Sequence, residues 1–325
     1  MDSTKEKEVV YEIPTFIKIY RDGSIERLRD TPIVPPCPED PKTGVSSKDV
    51  IISVKPSISA RIFIPKLKNE NQKLPILVYY RGGAYFFESA FSNHHYRYLN
   101  HIVSEANIIA VAIEYRNAPE HFLPAGLNDC WVGLQWVALH SMKSPPSIDP
   151  WLGRHGNFEK VFIGGDSGGG NVVHNIVMRA GLEGLPGGVR LYGAYMNHPY
   201  FWGSKPYGRE PVDGFEDAYA SVVWNFVYPS SPGGLDNPML NPMGDGAPSL
   251  ARLGCVKMLI SVAGKDFLYL RDRAVLYYES IKQSGWKGEV ELFEEEEEEH
   301  CYHMNFPDSD AAHRLINRVI QFLRN

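Results

Sequence analysis

Gly165-Asp166-Ser167-Gly168-Gly169 is a G-x-S-x-G pentapeptide set where a reactive serine needs it. The run before it, Lys160 to Gly164, is short, apolar and rich in strand formers. The run after it, Gly170 to Ala180, places Val172, Val173, Ile176 and Val177 on one helical face. A strand that turns sharply into a helix at such a serine holds it in a strained conformation. Residues two before and two after must then be small. The strain lifts the hydroxyl above the sheet edge, and the helix N-terminus favours negative charge developing beside it. The chemistry implied is nucleophilic attack by Ser167.

A serine hydroxyl is a poor nucleophile unless a base takes its proton and an acid orients that base. Asp266 lies just beyond a strand-like run, Lys257–Val262, in Ala263-Gly264-Lys265-Asp266. Asp272 is its rival but falls inside the helical pattern that follows. His300 and His303 both follow the strand-like run Glu289–Phe293. The order Ser, Asp, His favours Ser167, Asp266 and His300 as a triad, with His303 as the alternative base. A tetrahedral intermediate also needs donors for its oxyanion. Gly168 N–H, directly after the serine, is one. Gly82, Gly83 and Ala84, in Tyr80-Arg81-Gly82-Gly83-Ala84 after a buried strand, supply the others.

The elements that must hold these residues alternate. Leu74–Tyr80, Ile108–Tyr115, Val161–Gly164, Leu191–Met196, Lys257–Val262 and Glu289–Phe293 read as strands. Helical patterns fall near 92–106, 126–140, 168–181, 270–283 and 309–323. Alternation of this kind predicts an α/β fold with a mostly parallel central sheet flanked by helices. Phe16–Tyr20 and Ser59–Ile64 read as strands extending that sheet in the antiparallel sense. The aromatic, Pro- and Gly-rich stretch 199–248 and the segment from about 1 to 40 are expected to form a lid, within a single domain spanning 1–325.

A net charge of −6 without a basic cluster excludes a nucleic-acid partner. No apolar run approaches the ~20 residues of a membrane span, and the N-terminus MDSTKEKEVV is charged where a leader is apolar. Four scattered cysteines lack metal-ligand spacing, so free thiols, no metal and no cofactor are expected. The corresponding reading is a cytoplasmic protein, monomer or homodimer, acting on a small molecule. The Glu294–Glu299 run reads as a solvated loop, Asp166 as an anchor of the serine turn, and Asn171 and His174 as structural.

These residues, in this order, resemble the plant class I carboxylesterases, which belong to the hormone-sensitive-lipase-like α/β-hydrolases. The likeness spans nearly the whole chain. It includes Phe16 to Tyr20 with Asp22-Gly23, Asp40 to Val45, Tyr115 to His121, Gly165 to Asn171, His198 to Phe201, Ala263 to Arg273 and His300 to His303. It implies the α/β-hydrolase fold, the triad Ser167, Asp266 and His300, and an oxyanion loop at Gly82, Gly83 and Ala84. One residue departs from the pattern: Arg81 stands where such proteins carry the histidine of an HGG loop. Arg81 is therefore either a substrate-binding residue suited to an acidic group or a supporting exchange of small effect, and Arg81→His is expected to keep the fold.

Three functions follow from the resemblance. The first is a serine carboxylesterase that hydrolyses small esters through an acyl-enzyme. The second is a non-hydrolytic dehydratase or cyclase of plant specialised metabolism, related to 2-hydroxyisoflavanone dehydratases and alkaloid cyclases. The third is a small-molecule receptor resembling the gibberellin receptor. A complete triad favours the first.

Overall fold

A computed structural model describes residues 8–29, 32–142 and 149–325. Residues 1–7 and 30–31 of the expected lid, and with them most of the charged N-terminus, lie outside the described residues. In chain order the first strands are β1 (Val9–Ile13), β2 (Ile17–Tyr20), β3 (Ile25–Arg27), β4 (Ser46–Ser53), β5 (Ile58–Ile64) and β6 (Leu74–Tyr80). Then come α1 (Asn93–Ala106), β7 (Ile109–Glu114), α2 (Ala125–Leu139), α3 (Pro150–His155), β8 (Gly156–Asp166), α4 (Gly168–Glu183) and β9 (Leu191–Asn197). The chain ends with α5 (Tyr219–Val227), β10 (Cys255–Ala263), α6 (Arg271–Gln283), β11 (Glu289–Glu295), α7 (Tyr302–Asn305) and α8 (Asp310–Arg324).

Eight strands form one sheet in the order β11-β10-β9-β8-β6-β7-β5-β4. It is parallel from β11 to β7, and β5 and β4 continue it in the antiparallel sense. The expected mostly parallel α/β sheet is present, and Ser59–Ile64 joins it as anticipated. Phe16–Tyr20 does not. β2 pairs instead with β1 and β3 in a separate three-stranded antiparallel sheet. Tight turns at Pro14-Thr15 and Asp22-Gly23, with positive φ at Thr15 and Gly23, fold its neighbours back onto both of its edges. The large sheet's own edge is taken by β4.

Side chains alternate across the sheet with period two, and both faces are covered. Ile76, Val78 and Tyr80 of β6 pack with Leu134 and Val137 of α2, Val172 and Ile176 of α4, and Tyr277 of α6. Leu77 and Tyr79 point the other way, into a layer with Leu99 and Ile102 of α1 and Leu315, Val319 and Leu323 of α8. Ser309 starts α8 by accepting from the Ala312 N–H at 3.1 Å. Each of its buried aliphatic side chains contributes about 1.5–3 kcal/mol. The helix therefore clamps the sheet on the side from which the His300 loop approaches. Among the described residues, no helix is long and apolar enough to cross a membrane.

Within 199–248 the chain forms α5 and several single turns around Trp202 and Trp224, both fully buried. Trp202 donates to Ser221 Oγ at 2.8 Å, and Trp224 donates to the Gly234 carbonyl at 3.0 Å. This segment is packed structure built on its aromatics.

Candidate active site

The turn from β8 into α4 builds the site. Gly165 and Gly169 sit where a side chain has no room. A Cβ on Gly165 would lie 2.6 Å from the Tyr80 carbonyl, and one on Gly169 would lie 2.1 Å from it. The close approach of β6 to the turn thus demands both glycines. Between them Ser167 adopts φ 53° and ψ −117°, the strained conformation expected of a serine at a sharp turn. Its backbone is tied on both sides: Ser167 N–H donates to the Asn197 carbonyl at 2.8 Å, and its carbonyl accepts from Tyr200 N–H at 3.1 Å. Ser167 occupies the N-cap position of α4, yet its hydroxyl caps nothing. The Oγ is left for other work.

That hydroxyl lies 2.8 Å from His300 Nε2, and His300 Nδ1 lies 2.8 Å from Asp266 Oδ2. Asp266 follows β10, and its second oxygen accepts from the Leu268 N–H at 2.9 Å, which fixes the carboxylate plane. Both Asp266 and His300 are buried. Burial alone would depress the imidazole. The Asp266 carboxylate and the neighbouring Cys301 thiol outweigh it and hold His300 well above the ordinary histidine value. The three residues singled out from chain order are thus brought into one hydrogen-bonded line. Such a line can draw a proton from Ser167 Oγ and hold it on the imidazole.

Gly82, Gly83 and Ala84 line the cavity beside Ser167. Gly83 has φ +91°, and a Cβ there would lie 2.2 Å from the Phe87 carbonyl, so the loop's course requires glycine. Gly168 meets this loop from below, where a Cβ on it would stand 3.3 Å from the Ala84 nitrogen. Among the described residues, no acceptor is found for the N–H groups of Gly83, Ala84 or Gly168. These donors gather beside the serine, the arrangement an oxyanion needs.

The rival residues have other duties. His303, fully buried, places Nε2 2.9 Å from Asp166 Oδ1. Asp166 also accepts from Tyr79 OH and, at 2.9 Å, from Asn197 Nδ2. Burial pushes the Asp166 carboxyl up, but these partners hold it below the usual range. Asp272 pairs with Arg209 and Arg271, away from the histidine. Asn171 donates to the Tyr200 and Met239 carbonyls, and His174 lies 2.8 Å from Tyr277 OH. The glutamate run is less of a free loop than expected. Glu294 and Glu295 end β11, where they pair with Arg271 and Arg314.

Of the two readings held for Arg81, its side chain takes the supporting position and not the substrate-binding one. Its side chain is fully buried and does not line the cavity, so it neither meets substrate nor sits at the surface. Nη1 donates to the Gly82 and Phe87 carbonyls, each at 3.1 Å. Nη2 donates to the Tyr115 carbonyl at 3.0 Å and Asn117 Oδ1 at 2.8 Å. The guanidinium carbon sits 3.9 Å from the centre of the Tyr115 ring. Burial opposes the charge, but Tyr115 and Glu114 more than compensate. Arg81 is thus a tether behind the donor loop. A planar fork reaches four acceptors at once, which an imidazole cannot do. Arg81→Ala is expected to cost about 3 kcal/mol or more, because several buried acceptors lose their donor. Thermal melting should fall by several degrees, with kcat falling as the loop loosens. An unchanged Tm would show the tether to be idle.

The cavity has a volume of about 320 Å³. Phe16, Phe87, Tyr219 and Phe267 form aromatic walls, and Arg29, Glu88, His94 and His95 add polar groups. Phe16 and Tyr219 come from the two segments expected to form a lid. Glu88, His94, His95 and Cys301 drew no attention in the sequence as cavity residues. No motif marks them, because a loop and a helix start carry them to the site.

Comparison with known proteins gives the family. A family model described as the alpha/beta hydrolase fold matches residues 77–304. The chain belongs to the α/β-hydrolase family. It is similar to 2-hydroxyisoflavanone dehydratase of Glycyrrhiza echinata, with 53% identity over 99% of this chain and 98% of that protein. It is also 40% identical to probable carboxylesterase 4, mitochondrial, of Arabidopsis thaliana, over 99% of this chain and 85% of that one. Among solved structures, the esterase LipW from Mycobacterium marinum superposes with a TM-score of 0.69 at 20% identity, covering 87% of this chain and 82% of that one. This α/β-hydrolase thus has relatives whose names carry both hydrolysis and dehydration.

Proposed function

We propose that this α/β-hydrolase is a serine carboxylesterase of small esters, and the observation that carries the reading is the Ser167–His300–Asp266 line with both contacts at 2.8 Å. Ser167 Oγ attacks the ester carbonyl as His300 Nε2 takes its proton. The N–H groups of Gly83, Ala84 and Gly168 receive the charge that develops on the carbonyl oxygen. His300 then protonates the leaving alcohol, and Asp266 stabilises the imidazolium without taking the proton. Water repeats the sequence to release the acid. The 320 Å³ cavity and its aromatic walls suit an aromatic or alicyclic ester of modest size, with the segments bearing Phe16 and Tyr219 acting as lid.

A second reading rests on the 53% identity to a 2-hydroxyisoflavanone dehydratase. The same imidazole would remove a proton from carbon while hydroxide leaves, with no acyl-enzyme. A fluorophosphonate probe followed by mass mapping, run beside assays with p-nitrophenyl butyrate and 2-hydroxyisoflavanone, separates the two. Stoichiometric labelling of Ser167 with ester turnover is the expected result. Isoflavanone dehydration by a protein that hydrolyses no ester and leaves Ser167 unlabelled would establish the second reading instead. His300 must be neutral to act as base, so kcat/KM for the ester should rise with pH through its pKa. Because that value is raised, the limb should lie above the ordinary ~6.5 of histidine. A limb at or below the ordinary value would contradict the Asp266 pairing.

A further inference from the structure

Glu88 and His95 form a second polar feature of the cavity that the ester mechanism does not use. Glu88 stands against the donor loop, where a Cβ on Gly83 would lie 2.7 Å from its own Cβ. Its side chain is 9% exposed, and Oε2 is buried with no hydrogen-bond partner. His95 Nε2 is the nearest cationic-type group, 3.9 Å away, beyond hydrogen-bond reach.

The proton inventory decides what His95 offers. Tyr79 has one hydroxyl proton, and it goes to the Asp166 carboxylate. The Tyr79 oxygen therefore accepts from His95 Nδ1, at 3.0 Å, so Nδ1 carries a hydrogen. Burial lowers His95 to a pKa of about 4, so the ring is neutral and its other nitrogen is bare. Two side chains that line the cavity thus bring a glutamate oxygen and an imidazole nitrogen to 3.9 Å of each other, both acceptors, with no donor to either among the described residues. An unsatisfied buried acceptor costs about 1–3 kcal/mol, more when charged.

We propose that Glu88 and His95 form a recognition subsite for a hydroxyl group on an aromatic substrate, in the cavity that Phe16, Phe87 and Tyr219 also line. The inference rests on reading this cavity as the substrate site, but not on whether the reaction there is hydrolysis or dehydration. A phenolic or alcoholic hydroxyl donates to the Glu88 carboxylate, with His95 Nε2 as the neighbouring acceptor. The aromatic walls hold the ring that carries it.

Binding in the Ser167→Ala background isolates recognition from turnover, so this test can fail while the ester reading stands, and the reverse. The ligands are daidzein, an isoflavone with free phenols, and unsubstituted isoflavone, measured by calorimetry. A hydrogen bond to a charged group predicts that daidzein binds about 10- to 100-fold tighter. Glu88→Met should erase most of that preference. Glu88→Gln, which keeps the shape and one acceptor oxygen, should erase part of it and serves if the Met variant does not fold. Equal affinity for the two ligands in the Glu88 protein, or a preference unchanged in both Glu88 variants, would overturn the proposal.

Discussion

Ser167→Ala should abolish nearly all hydrolysis of p-nitrophenyl butyrate while the protein keeps its melting temperature. Members of a triad act as a unit, so removing the nucleophile alone is expected to lower kcat by roughly 10⁴- to 10⁶-fold. The residual rate comes from the donors of Gly83, Ala84 and Gly168 and from the cavity itself. Stability should hold because Ser167 Oγ caps no helix and its hydrogen bond among the described residues is to His300 alone. Alanine carries the same positive-φ strain as serine, so the turn is no worse off. Steady-state kinetics and thermal denaturation on one preparation check both halves. Ester turnover within tenfold of the native rate would remove Ser167 from the mechanism.

The two histidines of the His300-Cys301-Tyr302-His303 stretch should fail in different ways. His300→Ala is expected to lower ester kcat by about as much as loss of the serine, with little change in Tm. The group it abandons, Asp266, keeps the Leu268 N–H, and the space left by the imidazole, which lines the cavity, lets water solvate the carboxylate. His303→Ala should do the opposite. It takes a fully buried partner from the Asp166 carboxylate and leaves Tyr79 and Asn197 to hold the charge. Taking one hydrogen-bond partner from a buried carboxylate costs on the order of 1–3 kcal/mol, more because the acceptor is charged. Melting should drop sharply, and the folded fraction should still turn over ester. A His303→Ala protein of native stability, or one that folds well yet is as inactive as His300→Ala, would show that the two roles are wrongly divided.

The local features were legible in the residues themselves. The strand–serine–helix turn rests on glycine spacing, and the parallel sheet rests on alternating periodicities; both are short-range properties that a sequence displays directly. Chain order likewise singled out Ser167, Asp266 and His300, since strand ends are where such sheets present side chains. Other features depend on which distant groups meet. Phe16–Tyr20 reads as a strand in any context, but its partners were decided by tight turns on either side. Arg81 could be read as a substrate group or as a supporting exchange, because its direction is not written in its type. Only packing shows that it turns away from the cavity to hold four acceptors behind the loop. His303 and His300 are chemically identical, and the presence of Asp166 or Asp266 at hydrogen-bond distance gives them separate work. Glu88 and His95 carry no motif at all, and their meaning lies in a count of donors and acceptors that exists only once Tyr79, Asp166 and the cavity are assembled. Residue type and spacing determine what a segment can form; burial and the partners brought by the rest of the chain decide what each polar group is left to do.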